Sequence, residues 1–127
     1  MIKVLFIEDS EAVWREFTEF FNDGSINIEV AEAAPEAAEL LKTKTYDLII
    51  LDYHLPGMTG MDLLRSLKDE GRGVKAPIIM LTSEMEERGT EIKDLNVVSW
   101  LVKPVEPIRL KHMIPKAIAH HKSSNKA

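Results

Sequence analysis

The chain has 127 residues, 45% of them hydrophobic and 29% charged, with 16 basic against 21 acidic side chains and no cysteine. That length buries one continuous core and is too short for two. A formal charge of -5 argues against a broad electrostatic footprint on nucleic acid, the missing cysteines exclude disulfides and thiolate chemistry, and no apolar run nears the roughly 18 to 20 residues that a bilayer span needs.

Met1 leads directly into the run Ile2 to Ile7, which reads as a strand. The run ends in carboxylates rather than in a small-residue cleavage site, so a cytoplasmic protein is expected. Val13, Phe17, Phe20 and Phe21 then recur at helical spacing, and Gly24 follows where a left-handed cap is wanted. Ile26 to Ala31 is a second strand. Pro35 suits the first turn of a second helix that carries Ala37, Leu40 and Leu41 inward. Leu48 to Leu51 is a third strand and, like the first, almost free of polar alternation, which is how a strand covered on both faces reads.

Thr59 with Asp62 forms a capping-box pattern before a third helix with Leu63, Leu64 and Leu67 inward. Ile78 to Leu81 is the fourth strand, and a fourth helix is expected from Glu84 to Leu95, stopped by Asn96, a residue that tolerates positive φ. Ser99 to Val102 is the fifth strand. After Pro107 a fifth helix should run to about His120 with Leu110, Met113, Ile114 and Ala117 inward and a kink at Pro115. One domain over residues 1–121 and a frayed polar tail over 122–127 are expected. Strict alternation of strand and helix points to an α/β doubly wound parallel sheet with helices on both faces, where ligands bind beyond the carboxyl ends of the strands.

Those ends are polar. The first strand runs into Glu8-Asp9, the third into Asp52, the fourth into Thr82-Ser83 and the fifth into Lys103-Pro104. Converging carboxylates repel one another, and a divalent cation relieves them; hard oxygen donors favour Mg2+. Such an ion with the Lys103 ammonium neutralises three carboxylates and leaves a pocket fit for a phosphoryl group. Asp52, alone at the end of the central apolar strand, is the best nucleophile, Lys103 offsets charge developing on a phosphoryl oxygen, and the Thr82 hydroxyl donates to another. Taken singly, each of these residues reads more simply as a solvated loop carboxylate, a helix cap or a surface lysine. Four coincidences at four strand ends favour the site. His112, His120 and His121 lack a metal-ligand context, and Met58, Met61, Met80 and Met85 read as packing residues.

The series Glu8-Asp9, Asp52, Thr82 and Lys103-Pro104, with Leu55-Pro56-Gly57-Met58-Thr59-Gly60 after the aspartate, resembles the receiver domains of two-component response regulators over nearly the whole chain. The resemblance implies a flavodoxin-like fold with strand order 2-1-3-4-5. It implies Mg2+ held by Asp9, Asp52 and the His54 backbone carbonyl, with Glu8 acting mainly through water. It further implies a stand-alone phospho-switch, chemotaxis-receiver-like, that is not a conventional enzyme but catalyses its own phosphorylation on Asp52 and its own dephosphorylation. The donor would be a sensor histidine kinase or a phosphotransfer protein. The output would be a protein contact through the face built from the fourth helix, fifth strand and fifth helix, on a monomer or a phosphorylation-dependent dimer without direct DNA binding.

Ser83, Glu84, His54 and Trp100 fall at switch or rate-modulating positions of the same pattern. The chain departs from it at Glu8, where aspartate is commoner, at Trp100, where tyrosine or phenylalanine is usual, and at Asn96 and Val97, where glycine and alanine are usual. Those departures motivate a rival reading, a constitutive interaction module that keeps the fold and does not switch. An aspartyl-phosphate phosphatase is disfavoured because His54 stands where a second acid belongs. A flavin-binding protein is disfavoured by acidic residues where hydroxyls and amides would hold a phosphate.

Overall fold

The computed structural model describes residues 1–83 and 95–124. Its elements are β1 (Ile2–Ile7), α1 (Glu11–Phe20), β2 (Ile26–Ala31), α2 (Ala34–Thr43), β3 (Leu48–Asp52), β4 (His54–Leu55), β5 (Met58–Thr59), α3 (Gly60–Asp69), β6 (Ile78–Thr82), β7 (Val97–Val102) and α4 (Pro107–Ser124). The main sheet is parallel, in the order β2-β1-β3-β6-β7. Counting only the strands of that sheet, this is the expected 2-1-3-4-5. Of the helix expected from Glu84 to Leu95, residues 84–94, Met85 among them, lie outside the described residues.

The central strands are apolar because both faces are covered. Leu5, Ile7, Ile49, Leu51, Ile78 and Met80 pack with Ala37, Leu63, Leu64 and Leu67 of α2 and α3 on one side. Val4, Phe6, Leu48, Ile50, Ile79 and Leu81 pack with Phe17, Leu110 and Ile114 of α1 and α4 on the other. Each fully buried aliphatic or aromatic side chain contributes about 1.5–3 kcal/mol relative to exposure. The parallel direction of the strands brings every terminal polar residue to the same end of the sheet, and the alternation along each strand decides which face it points to. Among the described residues no helix is long and apolar enough to cross a membrane.

Several boundaries differ from the sequence reading. Thr59 and Asp62 do form the capping box, and Pro35 does lie in the first turn of α2. Asn96 does adopt a left-handed backbone, φ 63, fixed by its Nδ2 donating to the Val74 carbonyl at 2.5 Å. Gly24 has φ 87 but sits in the turn four residues beyond α1, whose C-cap is Phe21. Phe20, expected inward, is 39% exposed: its ring meets Phe21 edge-on and the Lys111 ammonium lies 5.7 Å from its centroid, while Phe17 and Phe21 take the buried positions.

The fifth strand of the sheet starts at Val97 rather than Ser99. A register shift between Ile78 and Ile79 lets Val97 pair with Ile78 while Ser99 pairs with Ile79, so the turn signal of Asn96 conceals two strand residues. The last helix continues through Pro115 to Ser124, past the expected end near His120 and into the expected tail. The His121 ring nitrogen reaches the Lys75 carbonyl at 2.8 Å and ties that last turn to the body. The two-residue strands β4 and β5 form a separate hairpin directly after the acidic end of β3, which the sequence reading left as loop.

Candidate functional site

The carboxyl ends of β1, β3, β6 and β7 bring Glu8, Asp9, Asp52, Thr82 and Lys103 to one rim of the sheet. Glu8 follows β1, and its amide still donates to Ala31 on the neighbouring strand at 3.0 Å. Ser10 begins α1 as its N-cap, accepting from the Val13 amide at 3.4 Å, so the chain turns from strand to helix within three residues and Asp9 is left exposed on that turn. Glu8 is 1% exposed, Asp52 3% and Thr82 0%. The three carboxylates Glu8, Asp9 and Asp52 offer oxygens within 4.8 Å of one another, a spacing suited to a small divalent ion held by hard oxygen donors.

Lys103 arrives from β7 with its backbone amide bonded to the Thr82 carbonyl at 2.8 Å, ahead of a cis Lys103–Pro104 peptide. Its ammonium lies 2.9 Å from Glu8 Oε1 and 3.2 Å from Asp52 Oδ1. Two nearly buried carboxylates thus share one cation. Burial pushes the Glu8 carboxyl up to about 7; the Lys103 hydrogen bond opposes this and the Asp52 charge reinforces it. Burial by itself would lower the Lys103 ammonium, but its hydrogen bond to Glu8 and the charges of Asp52 and Glu8 outweigh that and hold it above its usual value. The second Glu8 oxygen accepts the Ser10 amide at 3.2 Å. Ser10 is a contributor that the sequence reading passed over, although a serine just before an amphipathic helix is an ordinary N-cap signal.

Beyond Asp52 the chain folds straight into the β4–β5 hairpin. The His54 amide donates to Asp52 Oδ1 at 3.4 Å, and the Tyr53 amide donates to the Leu81 carbonyl at 2.7 Å. The Tyr53 ring lies edge-on to His54, centroids 5.1 Å apart, and 6.2 Å from Trp100. Trp100 is 9% exposed, packed in the core layer of α2 and α3, and its indole N–H has no hydrogen-bond partner among the described residues. Ser83 is exposed next to Thr82. Glu84, expected to modulate the site, lies outside the described residues. Of the sequence-derived candidates, Glu8, Asp9, Asp52 and Lys103 meet directly. Thr82 ends the strand beside Asp52, since Leu81 pairs with Asp52 in the sheet.

Residues 4–115 match the family model of the response regulator receiver domain. The chain is 30% identical over 117 residues to the chemotaxis protein CheY of Pseudomonas aeruginosa, covering 91% of this chain and 94% of that one. Among solved structures it is similar to chemotaxis response regulator CheY4 of Vibrio cholerae, with 30% identity, a TM-score of 0.79 and coverage of 92% and 98%. It is likewise similar to TrrA of Thermotoga maritima in complex with Mg2+ and BeF, with 25% identity, a TM-score of 0.75 and coverage of 92% and 99%. An acidic cluster whose two buried members, Glu8 and Asp52, are bridged by a lysine at the switch end of a 2-1-3-4-5 sheet, and a family match spanning almost the whole chain, place this protein in the response-regulator receiver family, among the CheY-like members.

Proposed function

We propose that this protein is a stand-alone response regulator that accepts a phosphoryl group on Asp52 and signals by a phosphorylation-dependent protein contact. The observation that carries the reading is the meeting of Glu8, Asp9 and Asp52 within 4.8 Å with the Lys103 ammonium 3.2 Å from Asp52 Oδ1. Two carboxylates as buried as Glu8 and Asp52 are costly unless cations join them. Mg2+ suits the donor set; Asp9, Asp52 and the His54 carbonyl would hold it, with Glu8 acting through water. When bound, the ion supplies positive charge to the phosphoryl oxygens.

The chain's own groups then do the rest. An Asp52 oxygen attacks the phosphorus of a phosphohistidine on a sensor kinase or phosphotransfer protein, the P–N bond breaks, and the imidazole leaves. Lys103 shifts its ammonium toward the transferred group, and the Thr82 hydroxyl donates to a phosphoryl oxygen. Hydrolysis reverses the state: water attacks phosphorus, the Asp52 carboxylate is restored and phosphate departs. His54 and Ser83 flank this path and set the lifetime, and the sequence pattern assigns Glu84 the same role. Trp100, on β7, links the site to the β7 and α4 face, through which a target protein is engaged in the cytoplasm.

Support for stand-alone action comes from similarity to chemotaxis proteins matched over most of their length. The test is intact mass after incubation with acetyl phosphate and Mg2+. Wild type should gain one phosphoryl group, and Asp52→Asn or added chelator should prevent it. A wild type that stays unlabelled, or an Asp52→Asn variant that is labelled equally, overturns the reading.

A further inference from the structure

Gly60 is the first residue of α3, and its amide is one of the helix-start donors that lack an intrahelical partner; it donates to the Tyr53 carbonyl at 2.6 Å. A Cβ built at Gly60 would lie 2.8 Å from the Asp52 carbonyl oxygen and 3.0 and 3.2 Å from Leu51 Cγ and Cδ2. Neither neighbour yields easily. The first is backbone at the end of the central strand, and Leu51 is fully buried in that strand. Gly60 is not among the residues with positive φ, so its backbone conformation suits alanine, the better helix former. What forbids a side chain is proximity alone.

We infer that Gly60 is a positioning residue: it lets α3 sit directly on the Asp52–Tyr53 peptide and thereby fixes the segment that presents the acceptor carboxylate and the His54 carbonyl. This rests on the reading of Asp52, Asp9 and His54 as the Mg2+ site. The hairpin supports the same geometry. His54 pairs with Thr59 and Leu55 with Met58, so the chain leaves Asp52, turns at Pro56-Gly57 and returns to press Gly60 against the residue it started from. The capping box of Thr59 and Asp62 locks the returning end.

An alanine at 60 must open the contact with the Asp52 carbonyl by about 0.6 Å to reach an ordinary van der Waals distance, and tolerances of about 0.5 Å separate productive from loose sites. The consequence is specific to the ion. Mg2+ demands near-ideal octahedral geometry at about 2.0–2.1 Å, whereas Ca2+ accepts variable geometry at about 2.3–2.6 Å. A shifted Asp52–His54 segment therefore loses Mg2+ affinity while retaining most of its Ca2+ affinity. Loss of fold or of charge would weaken both ions together.

The experiment is calorimetric titration of wild type, Gly60→Ala, Gly73→Ala and Leu64→Ala with MgCl2 and, separately, CaCl2, with folding checked by near-ultraviolet circular dichroism. Gly73 is the glycine control, since a Cβ there meets nothing closer than 3.8 Å, and Leu64→Ala is the control for general destabilisation. Gly60→Ala should weaken Mg2+ at least tenfold and Ca2+ less than threefold, with both controls near wild type. Equal losses for the two ions, or no loss in folded Gly60→Ala, overturn the inference. If Gly60→Ala does not fold, amide exchange of wild type decides: saturating MgCl2 should slow the Gly60 amide at least tenfold more than the Leu64 amide, and equal slowing overturns it. Wild type that binds Mg2+ but is not labelled on Asp52 refutes the phospho-acceptor reading and leaves the positioning result standing.

Discussion

Raising the pH of the metal-free protein from 5 to 8 should weaken it, and Glu8→Gln should remove that loss. Glu8 is 1% exposed and burial pushes its carboxyl from 4.5 up to about 7 despite the Lys103 hydrogen bond. Between those two values the folded chain holds a proton that the unfolded chain has released, so protonation favours the folded state and stability falls as pH rises through the interval. At 1.36 kcal/mol for each pH unit, the rise corresponds to at most about 3 kcal/mol, all of it lost by pH 8. Other carboxylates act outside this window. Asp23, held down by Lys111 and Ser25, and Glu29, held down by Lys44 and Tyr46, have lowered values, so their contributions are present above the ordinary carboxylate range and vanish only in acid. Lys103 is raised and stays charged throughout. The assay is urea unfolding in chelator at pH 5, 6, 7 and 8 for wild type and Glu8→Gln, whose difference cancels the histidines common to both. The variant should gain on wild type steadily above pH 5. A difference that is flat, or that moves the other way, refutes the assignment of Glu8 as a buried, proton-competing carboxyl.

A fixed Mg2+ concentration about 100 times the dissociation constant at pH 8 should add about 2.7 kcal/mol to the same unfolding free energy there and less at pH 6, because the ion and the Glu8 proton compete; Asp9→Asn should abolish most of the gain. Thr59→Ala removes the capping-box acceptor of α3 and should cost about 1 kcal/mol in urea midpoint analysis, whereas Thr59→Ser should cost little. Asn96→Ala places a side chain without the Val74 hydrogen bond at φ 63 and should lose about 1–2 kcal/mol, with Asn96→Gly recovering part of the loss; equal losses would refute backbone strain as the cause. In a Trp14→Phe background, beryllofluoride with Mg2+ should shift Trp100 emission, since its indole lies 6.2 Å from the Tyr53 ring next to Asp52; unchanged emission would show that the site and β7 are uncoupled.

Local pattern made most of the fold legible. Two apolar runs without polar alternation announced strands covered on both faces, and caps such as Thr59 with Asp62 placed helix starts closely. The site was legible for the same reason: strand-end residues are fixed by register, so Glu8-Asp9, Asp52, Thr82 and Lys103 had to share a rim once the sheet was parallel. The error at Val97 came from reading Asn96 only as the stop of the preceding helix, when a register shift extends the strand up to it. The error at Phe20 came from helical spacing, which assigns a face but not how far the neighbouring helix reaches across it.

By itself the sequence determined the alternation of strands and helices, the polar groups at each strand end and the chemical kind of ligand that such groups suit. Only the tertiary structure decided that Glu8 is buried with both oxygens engaged, that Lys103 bridges it to Asp52, and that α3 rests on the Asp52 peptide at Gly60. Periodicity and capping act between residues a few positions apart and can be read locally. Burial, ion pairing and close backbone approach depend on segments as distant as Glu8 and Lys103, whose separation is set by packing alone.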